Sequence, residues 1–320
     1  MLGCHLEAQR MERQKLMDRR LKAKSSPEKY VAVIINGMDQ SKTNLPHFYR
    51  IPKDSRIREA DFLKVYVVGA KVEGHLHRAY AMMMFDNFSN DTNSMLTVLH
   101  RVLSDLPKPL LKVLFLTLDN TSRENKNKFV LTYLVYLVHM KVFEKMKLNF
   151  LLVGHPHENI DQMFSCFSRA IARRDAYDLP ALETVIRQSS TKYAGVHVER
   201  VFEVYDCKAY VKDHLAPLHD ISFNQHFRIK RNVAGAVAVW SRQFCTSSWH
   251  PQDTYGLDIF KTFPDGSVHA APCHVVRSMD ERIKASEEKT SIDKILSLAG
   301  IHENVKAFSK YTNDEVVAWW

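Results

Sequence analysis

Apolar residues along this chain fall into short blocks separated by polar and turn-forming residues. The run from Tyr30 to Asp39 (YVAVIINGMD) is apolar at nearly every position and predicts a buried strand over 30–38. Phe62 to Val72 and His77 to Phe85 predict a second and a third strand, with glycine and polar residues between them as hairpin loops. Asp91-Thr92-Asn93 then precedes Met95, Leu96, Val98, Leu99, Val102 and Leu103, a helix start followed by a helical period that Pro107 and Pro109 stop. Residues 112–118 predict a fourth strand, 125–147 a helix and 149–153 a fifth strand. A further helix runs from about Glu158 to Arg174, with Ile160, Met163, Phe164, Phe167 and Ile171 on one face.

The texture differs at both ends. Residues 1–28 are rich in Arg and Lys and predict one helix, with Leu6, Met11, Leu16, Met17 and Leu21 as a weak apolar side. After residue 195 the blocks become short and alternating (Val196 to Val211, Phe227 to Trp240, Tyr255 to Val275), which reads as a smaller β-rich region. Ser291 to Trp320 reads as short helices. The expected organisation is a basic helical segment at 1–28, a mixed α/β domain at 29–190, a β-rich region at 195–285 and a helical tail at 286–320.

Composition narrows the function classes. Hydrophobic residues make up 45% and charged residues 25%, the balance of a globular chain, and the formal net charge is +9. An excess of cations favours an anionic partner, nucleic acid foremost, although a solvated basic surface has the same signature. The five cysteines are scattered and none forms Cys-x-x-Cys. The expectation is a reducing, intracellular setting without a disulfide framework or zinc ribbon. The most apolar helical run, Phe129 to Met140, is too short to cross a bilayer, so no membrane partner is expected.

The chemistry sits at strand ends. Asp39 closes the first strand and Asp119 the fourth; Asp161 follows the fifth in the segment His155-Pro-His157-Glu158-Asn-Ile-Asp161. Buried strands do not carry unpaired carboxylates, and ligands of α/β sheets bind beyond strand carboxyl ends. Three acids meeting there would hold Mg²⁺ or Mn²⁺ for phosphoryl transfer. Asp161 lies about 100° round the helix from Ile160, at the edge of the apolar face, and Glu158 about 200°, nearer solvent. Asn120, Glu124 and Asn125 follow Asp119 and are candidates for orienting ligands. His155 and His157 are candidates for supporting a metal or a phosphate. Lys42, Arg123, Lys126 and Lys128 flank these loops and suit a DNA backbone. The bland reading of each acid is a turn or helix cap. His-x-His also opens a zinc metallohydrolase reading, against which Asn159 and Ile160 stand where Asp and His belong.

Three segments together, Gly37-Met-Asp-Gln-Ser-Lys42, Leu118-Asp-Asn-x-x-x-Glu-Asn-Lys-Asn127 and Val153-Gly-His-x-His-Glu-x-x-Asp-Gln-Met-Phe164, resemble an uncharacterised transposon-related domain widespread in eukaryotes. The resemblance spans Tyr30 to Arg174 and extends loosely over the tail. Pro156 departs from the usual His-Thr pairing. The element order (three strands, helix, strand, helix, strand, helix) is that of a ribonuclease H-like mixed sheet flanked by helices, one of several mixed α/β sheets with such an order. The acid order is similar to the Asp-Asp-Asp/Glu arrangement of ribonuclease H-like transposases and integrases. That resemblance implies a metal-dependent, transposase-derived DNA-processing protein with Asp39, Asp119 and Asp161 as catalytic metal ligands. A catalytically inactive, domesticated nucleic-acid-binding module is the alternative. A transposase would work in the nucleus; Arg19-Arg20-Leu-Lys22-Ala-Lys24 is a short basic cluster that reads as a nuclear-import signal or, more commonly, as a solvated helix face.

Overall fold

The segments Lys145-Met-Lys-Leu-Asn-Phe150 and His226-Phe-Arg-Ile-Lys-Arg231 alternate polar and apolar residues with period two, so each must present one polar and one apolar face. Both are strands in the computed structural model of the chain, and they pair with one another. The structure describes residues 2–50, 62, 64–74, 78–85, 90–106, 112–151, 158–189, 195–201, 204–216 and 220–262. The elements are α1 (Leu2–Ser25), β1 (Tyr30–Gly37), β2 (Val65–Glu73), β3 (Ala79–Phe85), α2 (Thr92–Ser104), β4 (Val113–Leu118), α3 (Lys128–His139), β5 (Lys145–Phe150), α4 (Glu158–Ile171), α5 (Leu179–Arg187), β6 (Val196–Arg200), α6 (Cys207–Val211), β7 (His226–Arg231) and β8 (Val237–Arg242). A 3₁₀ turn, Gln40–Lys42, follows β1.

The strands form one mixed sheet in the order β6-β3-β2-β1-β4-β5-β7-β8. β1, β2 and β3 are antiparallel neighbours; β4 runs parallel to β1, and β5 parallel to β4. The expected α/β class and the first four strands are thus present; the fifth, expected at 149–153, starts earlier, at Lys145. The C-terminal strands differ from expectation. They do not build a region of their own: β6 pairs with β3 at one edge, and β7 with β5 at the other. The boundary drawn near residue 195 therefore cuts through a continuous sheet. Local pattern shows that a segment is a strand but not which edge it joins.

One face of the sheet is apolar throughout. Val31, Val33 and Ile35 of β1, Leu114, Leu116 and Leu118 of β4, and Met146 and Leu148 of β5 are buried there with Leu96, Leu99 and Val102 of α2 and Leu131, Leu134 and Val138 of α3. Asp91 caps α2 by accepting from Asn93 N at 2.9 Å, and Asn127 caps α3 by accepting from Phe129 N at 3.1 Å and Val130 N at 3.2 Å. α3 stops at His139, earlier than the expected 147. Lys141 adopts φ 59°, which turns the chain into β5 at Lys145. The apolar run continues across this turn, which is why its period-two part reads as helix.

The opposite face is divided. α4 and α5 cover its β6-β3-β2 side through Ile160, Met163, Phe167, Leu182 and Ile186. α1 crosses the β1–β4 side, where Ala23 packs on Ala32 and Phe115. Of the expected stripe, Met11, Met17 and Leu21 are exposed and Leu16 docks. The helix docks through Gln9, Glu12, Leu16, Arg19 and Ala23, at steps of three and four residues. The sheet beneath it also carries polar side chains, and the helix meets these with polar groups. Arg19 Nη1 donates to Asn149 Oδ1, and Arg20 and Lys24 pair with the buried Glu73 at 3.3 Å and 3.2 Å. No described helix is long and apolar enough to cross a membrane.

Candidate functional site

The strand order reverses at β1. The chain leaves β1 toward β2 and β3 on one side and returns to β4 on the other. In open α/β sheets a crevice forms at such a point, beyond the strand carboxyl ends. Asp39 lies two residues past β1, and Asp119 is the first residue past β4, whose Leu118 pairs with Ile35. Asp161 lies in the first turn of α4, and the next turn packs closely on β1 and β2. A Cβ on Gly69 would lie 2.5 Å from Met163 Cε and Phe164 Cε1, and Gly69 pairs with Asn36 near the carboxyl end of β1. The three aspartates therefore share one end of the sheet.

They are not one assembled group. Asp39 is 59% exposed; its carboxylate accepts from Ser41 Oγ at 2.9 Å and Ser41 N at 3.2 Å and stands 3.8 Å from Lys42 Nζ. The Ser41 hydrogen bonds, helped by Lys42, hold it below the ordinary carboxylate range. Asp119 accepts from Asn120 N at 2.7 Å. Asp161 is partly exposed. Among the described residues no three His, Cys, Asp or Glu side chains stand close enough together to hold a metal ion.

Negative charge gathers instead around Asp119. Glu124 accepts from Asn90 Nδ2 at 3.0 Å, and burial followed by the charges of Asp119 and Asp91 pushes its carboxyl up, against Arg123. Asp91 is paired with Lys208 at the start of α6, and Asn93 Nδ2 donates to Asp206 at 2.9 Å. In the sequence Asp91 stands only as a helix start, and nothing local points to Lys208. Their one legible signal is the pair of Asp caps, Asp91 and Asp206, which the fold brings together.

The remaining candidates divide. Asn125 is buried, and its Nδ2 donates to Thr121 Oγ1 at 3.0 Å inside the 121–127 turn. Oδ1 of both Asn120 and Asn125 is buried without a donor among the described residues. Lys126 does not fit the DNA-contact role expected of it. It is only 7% exposed, and its Nζ donates to Ser222 O at 2.7 Å. Arg123 and Lys128 are exposed, and Lys42 is 49% exposed beside Asp39. His155 and His157 lie outside the described residues, as does the 286–320 tail; the Glu158 backbone opens α4.

The family model "Domain of unknown function (DUF7869)" matches residues 55–247. The chain belongs to this family. The DUF7869 match begins before β2 and ends beyond β8, so it includes the strands after residue 195 in the same unit as β2 to β5. It contains Asp119, Glu124 and Asp161 but not Asp39. The DUF7869 sheet nevertheless needs β1, which lies between β2 and β4 and hydrogen-bonds to both. No curated protein and no solved structure matches the chain.

Proposed function

We propose that this DUF7869 protein is a ribonuclease H-like, transposase-derived protein that carries out metal-dependent phosphoryl transfer on DNA. The observation that carries this reading is the position of Asp39 and Asp119, just beyond the carboxyl ends of β1 and β4, the adjacent parallel strands at which the sheet order reverses. The β3-β2-β1-β4-β5 order, with three antiparallel strands followed by two parallel ones, is the order expected of a ribonuclease H-like sheet and supports the same reading. The oxygen donors suit hard divalent cations such as Mg²⁺ or Mn²⁺, and the crowding of charge at Glu124 and Asp119 is what a cation would relieve. Asp39, Asp119 and Asp161 would hold it, with Glu124 beside Asp119. Such an ion supplies charge stabilisation and an activated oxygen nucleophile.

The chain's own groups have defined tasks in this reading. Asp39 must leave Ser41 and Lys42 to reach Asp119, which frees Lys42 for a phosphate. Arg123 and Lys128, both exposed beside the Asp119 loop, would hold the DNA backbone near the acids. The test is cleavage of labelled DNA with Mg²⁺ or Mn²⁺ by the full chain and by Asp119→Asn. Loss of metal-dependent cleavage with an unchanged circular dichroism spectrum is the expected result; equal cleavage by the variant overturns it.

The separation of the acids favours a second reading, a binding module without turnover. That protein would bind DNA equally well in EDTA and cleave it under no metal condition.

A further inference from the structure

Beyond α1, on the face opposite α2 and α3, the sheet presents rows of cations. Cross-strand partners place Phe115, Lys147, Arg228 and Trp240 in one row, and Val113, Lys145, Lys230 and Ala238 in the next. Lys145, Lys147, Arg228 and Lys230 are partly exposed, and none of them pairs with a carboxylate among the described residues. All but Lys145 rest on aromatic rings. The Arg228 guanidinium lies 5.0 Å from Trp240 and 4.5 Å from Trp249; Lys230 lies 5.1 Å from Trp240, and Lys147 5.6 Å from Phe115. Arg242, on the neighbouring row, lies 4.4 Å from Trp249. Along one side, α1 adds Lys15 and Lys22, whose charges are felt at Lys147. The carboxylate of α1 that faces this region, Glu12, is engaged by His226 at 2.7 Å and Cys245 N at 2.6 Å.

We propose that this face binds the sugar–phosphate backbone of a nucleic acid. The proposal takes the nucleic-acid part of the functional reading further and does not need its metal chemistry. Like charges placed side by side repel, so the patch is unfavourable to the folded chain until an anion meets it. Protein interfaces deplete charged residues at their centre, whereas here the centre is cationic. A guanidinium stacked on an indole keeps edge donors for phosphate oxygens; Arg228 and Arg242 are both partly exposed, and one donor of Arg242, Nη1, is taken by Ser247 O at 3.3 Å. Trp240 is 1% exposed beneath its cations, and the partly exposed Trp249 carries Arg228 and Arg242 against its ring, so cations and not free ring faces meet the ligand. The recognition is of backbone, independent of sequence.

Fluorescence anisotropy with a labelled 20-mer, single-stranded and duplex, tests this on the full chain at about 50 and 200 mM NaCl. Lys145→Gln/Lys230→Gln is expected to weaken binding about tenfold at the lower salt and to reduce the salt slope by about 2. Lys145→Arg/Lys230→Arg should bind as the parent does, which separates charge from folding. Arg123→Gln/Lys128→Gln reports on the acidic end. Unchanged affinity and slope in Lys145→Gln/Lys230→Gln overturns the proposal, and loss confined to Arg123→Gln/Lys128→Gln does so while leaving the acidic-end reading intact.

Discussion

Lys147 of β5 and Arg228 of β7 are direct cross-strand partners, two cations side by side on a sheet face with no carboxylate between them. Burial, then Lys145, Arg19, Lys15 and Lys22, push the Lys147 ammonium down to about 8. In the unfolded chain it titrates near 10.5. The unfolded state therefore binds more protons between about pH 8 and 10.5, and this group makes folding more favourable as pH rises through that window. A bound phosphate restores the proton. Nucleic-acid binding at pH 8.5 should thus take up protons, seen in calorimetry as a heat that varies with the buffer's ionisation enthalpy. Lys147→Gln should remove that dependence, and its persistence in the variant would count against the assignment.

The docking of α1 should fail in acid. Burial holds the His226 imidazole below its ordinary value, against the pull of Glu12. Burial also pushes the Glu12 carboxyl up, but hydrogen bonding to His226 and from Cys245 N outweighs this and holds it low. Both groups bind fewer protons folded than unfolded. Stability is lost first as pH falls below about 6.5 and again below about 4.5. Urea melts at pH 7.5, 6, 5 and 4 should show a falling midpoint, with the upper step smaller in His226→Gln; His47 and His139, also held low by burial, supply the remainder. One midpoint at pH 7.5 and 5 in the parent chain would refute this.

Gly69 lets α4 approach β1. Because the added methyl would meet Met163 and the Phe164 ring, Gly69→Ala should cost about 1–3 kcal/mol. It should also displace the turn carrying Asp161. Thermal melts check the first effect; a melting temperature equal to the parent's would show that the contact yields freely.

Lys126→Ala separates a structural lysine from a DNA-binding one. The ammonium, pushed down to about 8 by burial, anchors the 220–224 turn through Ser222 O. Its removal should cost about 1.5–3 kcal/mol while leaving the salt dependence of DNA binding unchanged. A lower salt slope would return Lys126 to the binding surface.

The central strands and their acids were legible because they are local: an apolar run, then Asp39 or Asp119. The docking of α1 was not, because amphipathicity finds apolar targets and the sheet under α1 carries Lys71, Asn149 and His226. The basic face was written as Lys145-x-Lys147 and Arg228-x-Lys230, but its two halves lie about 80 residues apart, and only the pairing of β5 with β7 makes them one surface. The clustering of Asp91 with Glu124 likewise depends on two helix starts meeting.

The most direct test of the central claim is Mn²⁺ binding to the full chain, followed by electron paramagnetic resonance of the free ion, in the parent and in Asp119→Asn. The account predicts saturable binding in the parent that weakens at least tenfold, about 1.4 kcal/mol, in the variant. Equal binding by the two, or none by the parent, would contradict it.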